Sequence, residues 1–433
     1  MDQYKNISNC RICRSDQIFQ VLKFDDQYIA STFVKSNRDH PTSNVKIPLT
    51  LMLCKVCGLV QLQETVRPDL LFHNYFYRSG ITDTMRTDLK DVVNNTMSLA
   101  SIQPGDYVVD IGANDCTMIS MFPDYLRRIA VEPAQNIHWD HLDKSIQVIN
   151  DYFGRDSLLQ VTQGEKVKII TATAMFYDLH DPNKETRDIK FLLDHDGIGV
   201  IQVSDLSATI RDMNFYDIVH EHLEYYSLDS INYLMEKNGL SVFHASKNFV
   251  NGGSLRIFVT HQENNAPKSK SFVDILAEEK QWQLREPDTY VQYSNNIQRL
   301  AKICRDFILN EIKNGGLVLG LGASTKGNVL LQLCGIDKDI LPYISERDEE
   351  KVGLRTMGSD IEIISEYEAR RMKPSAFLVI PWNFKAEILN REQQYIENGG
   401  KFLFLMPYPH YIDKEGEKAL SALSAPTEDD TGV

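Results

Sequence analysis

At 433 residues the chain exceeds the usual size of one domain, and 60 acidic against 46 basic residues give it a formal charge of −14. With no Lys/Arg run, that balance argues against nucleic acid as a partner, and no apolar run reaches the roughly 18 residues of a membrane span. A small-molecule or protein partner is expected; the polar start Met1-Asp2-Gln3-Tyr4-Lys5 reads as leaderless, so the expected location is a reducing cytoplasm. The oligomeric state stays undetermined.

The first elements are Cys10-x-x-Cys13 and Cys54-x-x-Cys57. Two such pairs offer four thiolates with the bite of a tetrahedral structural zinc, so Cys10, Cys13, Cys54 and Cys57 are the expected ligands. The stretch between the pairs is longer than a zinc ribbon needs and predicts a small β-rich excursion, with Gly58 serving the turn after the second pair.

From Ser101 the pattern alternates strand and helix, with strands predicted over 107–111, 129–132, 148–150, 168–171 and 197–202. Such alternation predicts a parallel α/β sheet, whose ligand sits at the carboxyl ends of the strands. The loop after the first strand, Gly112-Ala113-Asn114-Asp115-Cys116, lets backbone approach a cofactor, and Glu132, at the end of the second strand, can hold two ribose hydroxyls. Gly112 stands alone, so the dinucleotide pattern G-x-G-x-x-G is not met. Asp110-Ile-Gly112-Ala-Asn114-Asp115, followed by Val131-Glu132-Pro133, resembles motif I of class I S-adenosylmethionine (SAM) methyltransferases. The resemblance makes Asp110, Gly112, Asn114, Asp115, Glu132 and Pro133 the cofactor-binding set. Cys116 replaces an expected glycine and is expected to crowd the methionine end of the cofactor.

Beyond the fifth strand lies the densest reactive cluster, running from Tyr216-Asp217 through His220-Glu221-His222 to Glu224-Tyr225-Tyr226. A histidine beside a carboxylate suits a general base, and proton transfer is favoured over a second zinc site because the loop promises no face that collects both histidines.

The succession of the two cysteine pairs, Tyr75-Phe-Tyr77-Arg-Ser79, Asp-Ile-Gly-Ala-Asn-Asp, His-Glu-His-Leu-Glu-Tyr-Tyr-Ser and Gly252-Gly-Ser-Leu-Arg256 resembles the zinc-containing sugar C-methyltransferases of deoxysugar biosynthesis. They are similar to enzymes that methylate C3 of a nucleotide-linked 4-keto-6-deoxyhexose. The resemblance runs from Cys10 to about Pro409. It implies that His222 removes a proton beside the ketone, that Glu221 orients it, with His220 in the same catalytic group, and that the enolate attacks the SAM methyl. It also implies substrate-facing roles for Tyr75 and Tyr77, either of which could donate to the oxyanion, as could Tyr225 or Tyr226, and substrate contacts at Tyr225, Tyr226 and Arg256. Two positions depart from the family: Val219 stands where a tyrosine normally precedes His-Glu-His, and 171–178 replaces an Asn-rich, His-containing stretch on the substrate side.

In the last third, 315–328 predicts a strand entering a glycine-rich turn, which fails the dinucleotide pattern at Thr325 and the P-loop pattern after Gly327. Ser324, Lys326 and Asn328 are the donors expected at a substrate pyrophosphate, and the resemblance gives the C-terminal domain the same task. Strands over 377–380 and 400–405 continue this unit. Apolar spacing over 272–312 predicts a helical pair, and Cys304 and Cys334 read as buried thiols.

The expected architecture is α/β: an N-terminal zinc-binding module at 1–75, a class I methyltransferase, Rossmann-like sheet at 76–265, a helical bridge at 266–312, a second Rossmann-like α/β domain at 313–415 and a disordered tail at 416–433. The expected activity is SAM-dependent C-methylation of a nucleotide-linked keto-deoxysugar, with SAM and structural Zn2+ as cofactors and a nucleotide-sugar as partner. The alternatives are an O- or N-methyltransferase and a non-catalytic relative that binds a sugar nucleotide or a protein. A nicotinamide oxidoreductase built on the Gly320 turn is disfavoured.

Overall fold

Near-continuous apolar strands, of which Val167–Thr173 is typical with its buried centre, are the mark of a parallel sheet covered on both faces. The computed structural model describes residues 3–30, 32–35, 45–72, 77–140 and 142–420. The chain divides into one unit of Met1–Val21, Thr50–Ser207 and Glu221–Thr289, and another of Leu22–Leu49, Ala208–His220 and Tyr290–Val433.

In the first unit the strands are β1 Tyr107–Ile111, β2 Arg127–Val131, β3 Ile146–Ile149, β4 Val167–Thr173, β5 Leu193–Ser204, β6 Leu240–Asn248 and β7 Ser254–His261. They lie in the order β6-β7-β5-β4-β1-β2-β3. Strands β1 to β5 pair in parallel, and β7 alone runs antiparallel, to both β5 and β6. The chain moves outward from β1 to β3 and returns to β4 on the other side of β1, so the switch point falls between β1 and β4. Alternate residues feed two cores: Val108, Ala130, Ile169 and Val200 face one, Val109, Ile129, Ile170 and Ile201 the other.

Around this sheet, Leu51–Leu53 pairs with Val60–Leu62, and Glu224–Tyr225 adds antiparallel to Val60–Gln61. The segment after His222 is thereby built into the sheet that carries Cys54 and Cys57.

The second unit has parallel strands β8 Val318–Leu321, β9 Tyr343–Glu346, β10 Glu362–Ser365, β11 Ala376–Val379 and β12 Lys401–Phe404, ordered β12-β11-β8-β9-β10. Antiparallel strands His410–Asp413 and Gly416–Ala419 extend one edge, and Arg355–Thr356 with Phe33–Val34 the other.

Several expected boundaries change. The 1–75 module is split, because Phe33–Val34 pairs with Arg355–Thr356 and the Tyr28 amide donates to Gln332 Oε1 (2.9 Å), which places 22–49 in the second unit. The 266–312 bridge is divided at Thr289: helix Lys270–Gln281 lies in the first unit and most of Pro287–Lys313 in the second. The expected tail begins with an ordered strand, Gly416–Ala419 paired with His410–Asp413; 421–433 lies outside the described residues.

Candidate active site

The turn after β1 is held in a form that glycine would adopt freely: Gly112, Asn114 and Cys116 have φ of 70°, 53° and 63°. Left-handed conformation costs a residue with a Cβ about 1 kcal/mol or more, so other bonds must hold the turn. They are visible. Gly112 N donates to the Val131 carbonyl (2.9 Å), Asn114 N to Glu132 Oε2 (2.8 Å) and Ala134 N to Glu132 Oε1 (2.8 Å). Glu132 thus staples the turn to the end of β2, and further lone pairs on its oxygens remain for a ribose. Burial raises its pKa. Pro133 follows, half-buried.

Asp110 lies beneath the turn at 2 % exposure, where Thr171 Oγ1 donates to its Oδ1 (2.8 Å) and burial pushes its carboxyl up to about 7. It ties β1 to β4. Cys116 is buried in the core cluster with Ala113, Met118 and Phe122. Its thiol has no exposed surface, so it forms part of that core and not of the open face of the turn.

Residues 77–80 are latched to the turn. Ser79 N donates to Asn114 Oδ1 (3.0 Å), Asn114 Nδ2 to the Tyr77 carbonyl (3.1 Å) and Gly80 N to Asp115 Oδ2 (2.7 Å). Trp139 Nε1 adds a bond to the Asn114 carbonyl (3.0 Å). Asn114 and Asp115 therefore shape the turn through bonds of their own. The Tyr77 hydroxyl is buried without a hydrogen-bond partner among the described residues, and burial raises its pKa. Tyr75 lies outside the described residues.

Across the switch point, Met175 packs where a Cβ on Gly112 would sit, 2.8 Å from its Cγ. Two residues on, the Tyr177 ring lies 4.2 Å from that of His222, and the Leu223 amide donates to the Tyr177 carbonyl (2.7 Å). His222 therefore stands at the carboxyl edge of the sheet, on the same side as the cofactor turn. Glu221 is 3 % exposed, and neither carboxylate oxygen has a hydrogen-bond partner among the described residues. Sequence reading passed over Tyr177 and Trp139; the one signal for Tyr177 was its place in the departing 171–178 stretch.

Other expected residues are placed elsewhere. His220 belongs to the second unit, fully buried with Nε2 on the Ile47 carbonyl (3.1 Å), which is a structural bond. Tyr225 is buried with its ring 6.5 Å from His222. Tyr226 has no exposed surface and packs in the core with Cys10, Cys54 and Cys57, so it faces core rather than substrate. Arg256 is enclosed by Gln202 (2.7 Å), Asp91 (2.7 Å) and Asp88 (2.9 Å), which leaves its guanidinium no face for substrate.

In the second unit, helix Gly327–Leu333 follows the glycine-rich turn. Asn328 is 1 % exposed and donates to the Ala30 carbonyl, and Lys326 pairs with Asp217. Of the three expected pyrophosphate donors only Ser324, half-buried, keeps its side chain available.

The four cysteines of the two pairs converge: Cys10 and Cys57 Sγ are 3.5 Å apart, Cys13 and Cys54 Sγ 3.4 Å, and all four lie within 4.8 Å of one another as free thiols. Bonds of about 2.3 Å to a tetrahedral zinc set sulfur atoms about 3.8 Å apart, so the donor set fits that ion. Donation from the Cys57 thiol pushes Cys10 down to about 5, burial pushes Cys13 up to about 11, and the bond to Cys10 raises Cys57. Zinc would hold all four as thiolates.

Comparison with known proteins agrees with this arrangement. Family models described as "Putative zinc binding domain", "Methyltransferase domain" and "C-methyltransferase C-terminal domain" match residues 10–72, 83–245 and 249–407 in turn. The C-methyltransferase NovU of Streptomyces niveus is 27 % identical over 416 residues, 96 % of this chain and 99 % of its own. Two solved methyltransferases align with lower scores. CcbJ from Streptomyces caelestis has 11 % identity and a TM-score of 0.32 over 40 % of this chain and 89 % of its own. Magnesium protoporphyrin IX methyltransferase from Synechocystis PCC 6803 has 10 % identity and a TM-score of 0.33 over 43 % and 90 %. These scores are too low to bear on function.

Turn, sheet order and the methyltransferase match define a class I SAM-dependent methyltransferase. With the three matches laid end to end and a relative aligned over nearly its whole length, the chain is similar to C-methyltransferases that carry a zinc-binding domain.

Proposed function

We propose that the protein methylates a carbon beside the ketone of a nucleotide-linked keto-deoxysugar, with His222 as the base. The observation that carries this reading is His222 at the carboxyl edge of the sheet, its ring 4.2 Å from that of Tyr177, next in the chain to a buried Glu221 carboxylate that has no hydrogen-bond partner among the described residues. An unsatisfied buried carboxylate needs a partner that arrives with the ligand or with a charged imidazole.

SAM, when bound, supplies a methyl carbon made electrophilic by its sulfonium. A ring nitrogen of His222 takes the proton from the carbon next to the carbonyl, and the electron pair moves onto the carbonyl oxygen. Tyr77, whose hydroxyl is buried without a hydrogen-bond partner among the described residues, is the candidate donor to that oxygen, a role left vacant by Val219. The enolate carbon would then take the methyl as the carbonyl re-forms and the methyl–sulfur bond breaks, leaving SAM as its thioether S-adenosylhomocysteine, and His222 would give its proton to water. Glu221 stabilises the imidazolium between these steps.

The test is solvent-deuterium exchange at the carbon beside the ketone, with S-adenosylhomocysteine (SAH) in place of SAM. Using keto-sugar nucleotides as probes, His222→Asn and Glu221→Gln are expected to slow exchange by about 100- to 10,000-fold, the range of general base catalysis. Full methyl transfer by His222→Asn would overturn the reading and select O- or N-methylation, which needs no carbon-acid base.

A further inference from the structure

The second sheet repeats the backbone device of the cofactor turn. Gly322 N donates to the Ser345 carbonyl (2.8 Å) as Gly112 N does to Val131, and Ala323 N donates to Glu346 Oε2 (2.6 Å) as Asn114 N does to Glu132. Gly322, at φ 82°, faces the Pro381 side chain as Gly112 faces Met175. In an open parallel sheet such a turn opens a ligand crevice at the ends of β8 and β11.

Here the groups at those strand ends hold the protein's own chain. The Lys326 ammonium pairs with Asp217, a carboxylate with no exposed surface. From the loop after β11, Trp382 Nε1 donates to Asn214 Oδ1 (3.4 Å), and Asn383 Oδ1 accepts from the Tyr216 hydroxyl (3.1 Å). All three partners come from 214–217, and Glu221-His222 follows a few residues along the chain.

We propose that the second turn is a converted ligand site that seats the chain's own 214–217 segment. Lys326 and Asp217 are then positioning residues for His222, not contacts to the substrate's phosphates. The argument rests on the reading of His222 as base. An aspartate held by a lysine at such a turn takes the place that an anionic ligand would have. The charges cannot part cheaply, because removing the lysine leaves an uncompensated carboxylate out of water. A base displaced by about 1 Å can lose about 100-fold in rate, so anchoring a few residues upstream is enough to matter.

The experiment uses the full-length, zinc-loaded protein and the variants Lys326→Met, Lys326→Arg and Tyr216→Phe. Hydrogen exchange is read over 214–223, calorimetry gives the Kd of dTDP and of GDP, and turnover is measured with dTDP-4-keto-6-deoxyglucose and GDP-4-keto-6-deoxymannose. Lys326→Met is expected to speed exchange over 214–223 about tenfold and to lower kcat by about 10- to 100-fold, with KM and nucleotide Kd within about twofold. Lys326→Arg, which keeps the charge, should recover most of kcat. A tenfold rise in nucleotide Kd or KM with unchanged exchange over 214–223 would make Lys326 a phosphate contact and overturn the proposal. If Lys326→Met does not fold, Tyr216→Phe decides: faster exchange and lower kcat support the proposal, and no change in either overturns it. If the wild type turns over neither sugar, the proposed function fails for those probes, and exchange with nucleotide binding still decides this one.

Discussion

Arg256 shows how a motif residue with a ligand-binding look can be structural. Its guanidinium bonds Gln202, Asp88 and Asp91, and Asn248 Nδ2 joins Asp88 (3.0 Å) in the same network. Arg256→Met leaves Asp88 buried without its cation, which should cost about 3–5 kcal/mol of stability in urea unfolding; a stable variant with raised KM would restore the substrate role. Asp110 offers a second test. Burial pushes its carboxyl up to about 7, above the unfolded value of about 3.9. A carboxyl raised on folding binds more protons in the folded state. Its contribution is full below about pH 4 and is lost as pH rises through about 7. Asp110→Asn, which keeps an oxygen for Thr171, should therefore gain on the wild type by up to about 4 kcal/mol as pH rises from about 4 to about 7. A difference that stays constant across that window would refute the assignment. The convergence of Cys10, Cys13, Cys54 and Cys57 was legible because spacing and residue type limit their chemistry. Arg256, Tyr226 and Asn328 were not, because a polar side chain in a motif looks the same in sequence whether it faces a ligand or closes a core.

The zinc knuckle is tied to helices of its own unit: Asn183 Nδ2 donates to the Arg11 (2.9 Å) and Ile12 (3.1 Å) carbonyls, and Lys237 Nζ donates to Ile12. Helix Leu228–Lys237 begins just after the His222 segment. Stripping zinc with a chelator, or Cys57→Ser, should therefore lower the thermal midpoint and activity together, with exchange rising over 228–237 as well as at the cysteines. Activity that survives complete zinc loss would break that link. At the cofactor turn, Gly112→Ala meets both the left-handed φ and Met175; about 1–2 kcal/mol of strain and weaker SAH binding are expected by calorimetry. The parallel strands of the first sheet, and β8, β11 and β12 of the second, were readable from apolar runs with ends within a few residues, whereas β9 and β10 were not foreseen. The hairpin β6–β7 was not foreseen, since an alternating strand–helix reading supplies no antiparallel partner. The pairing of Phe33–Val34 with Arg355–Thr356 joins positions too far apart for any local pattern to report.

At the scale of the whole chain, each unit is assembled from three separate stretches, while sequence reading expected consecutive modules. Hydrophobic pattern identifies strands but not which sheet they join, and 22–49 and 208–220 were assigned to the wrong neighbours for that reason. The units keep separate cores, with Val109, Ile170 and Ile201 in one and Leu319, Phe377 and Phe402 in the other. A ligand that binds only the folded cofactor turn stabilises what must unfold to release it. SAH at about 100 times its Kd adds about 2.7 kcal/mol, or about 100-fold slower exchange for amides that open with the first unit. The expected pattern in hydrogen-exchange mass spectrometry is slowing over β1, β4 and 77–80, with β8 to β12 unchanged. Equal slowing in both units would show that they open as one, because linkage spreads only as far as cooperative unfolding does.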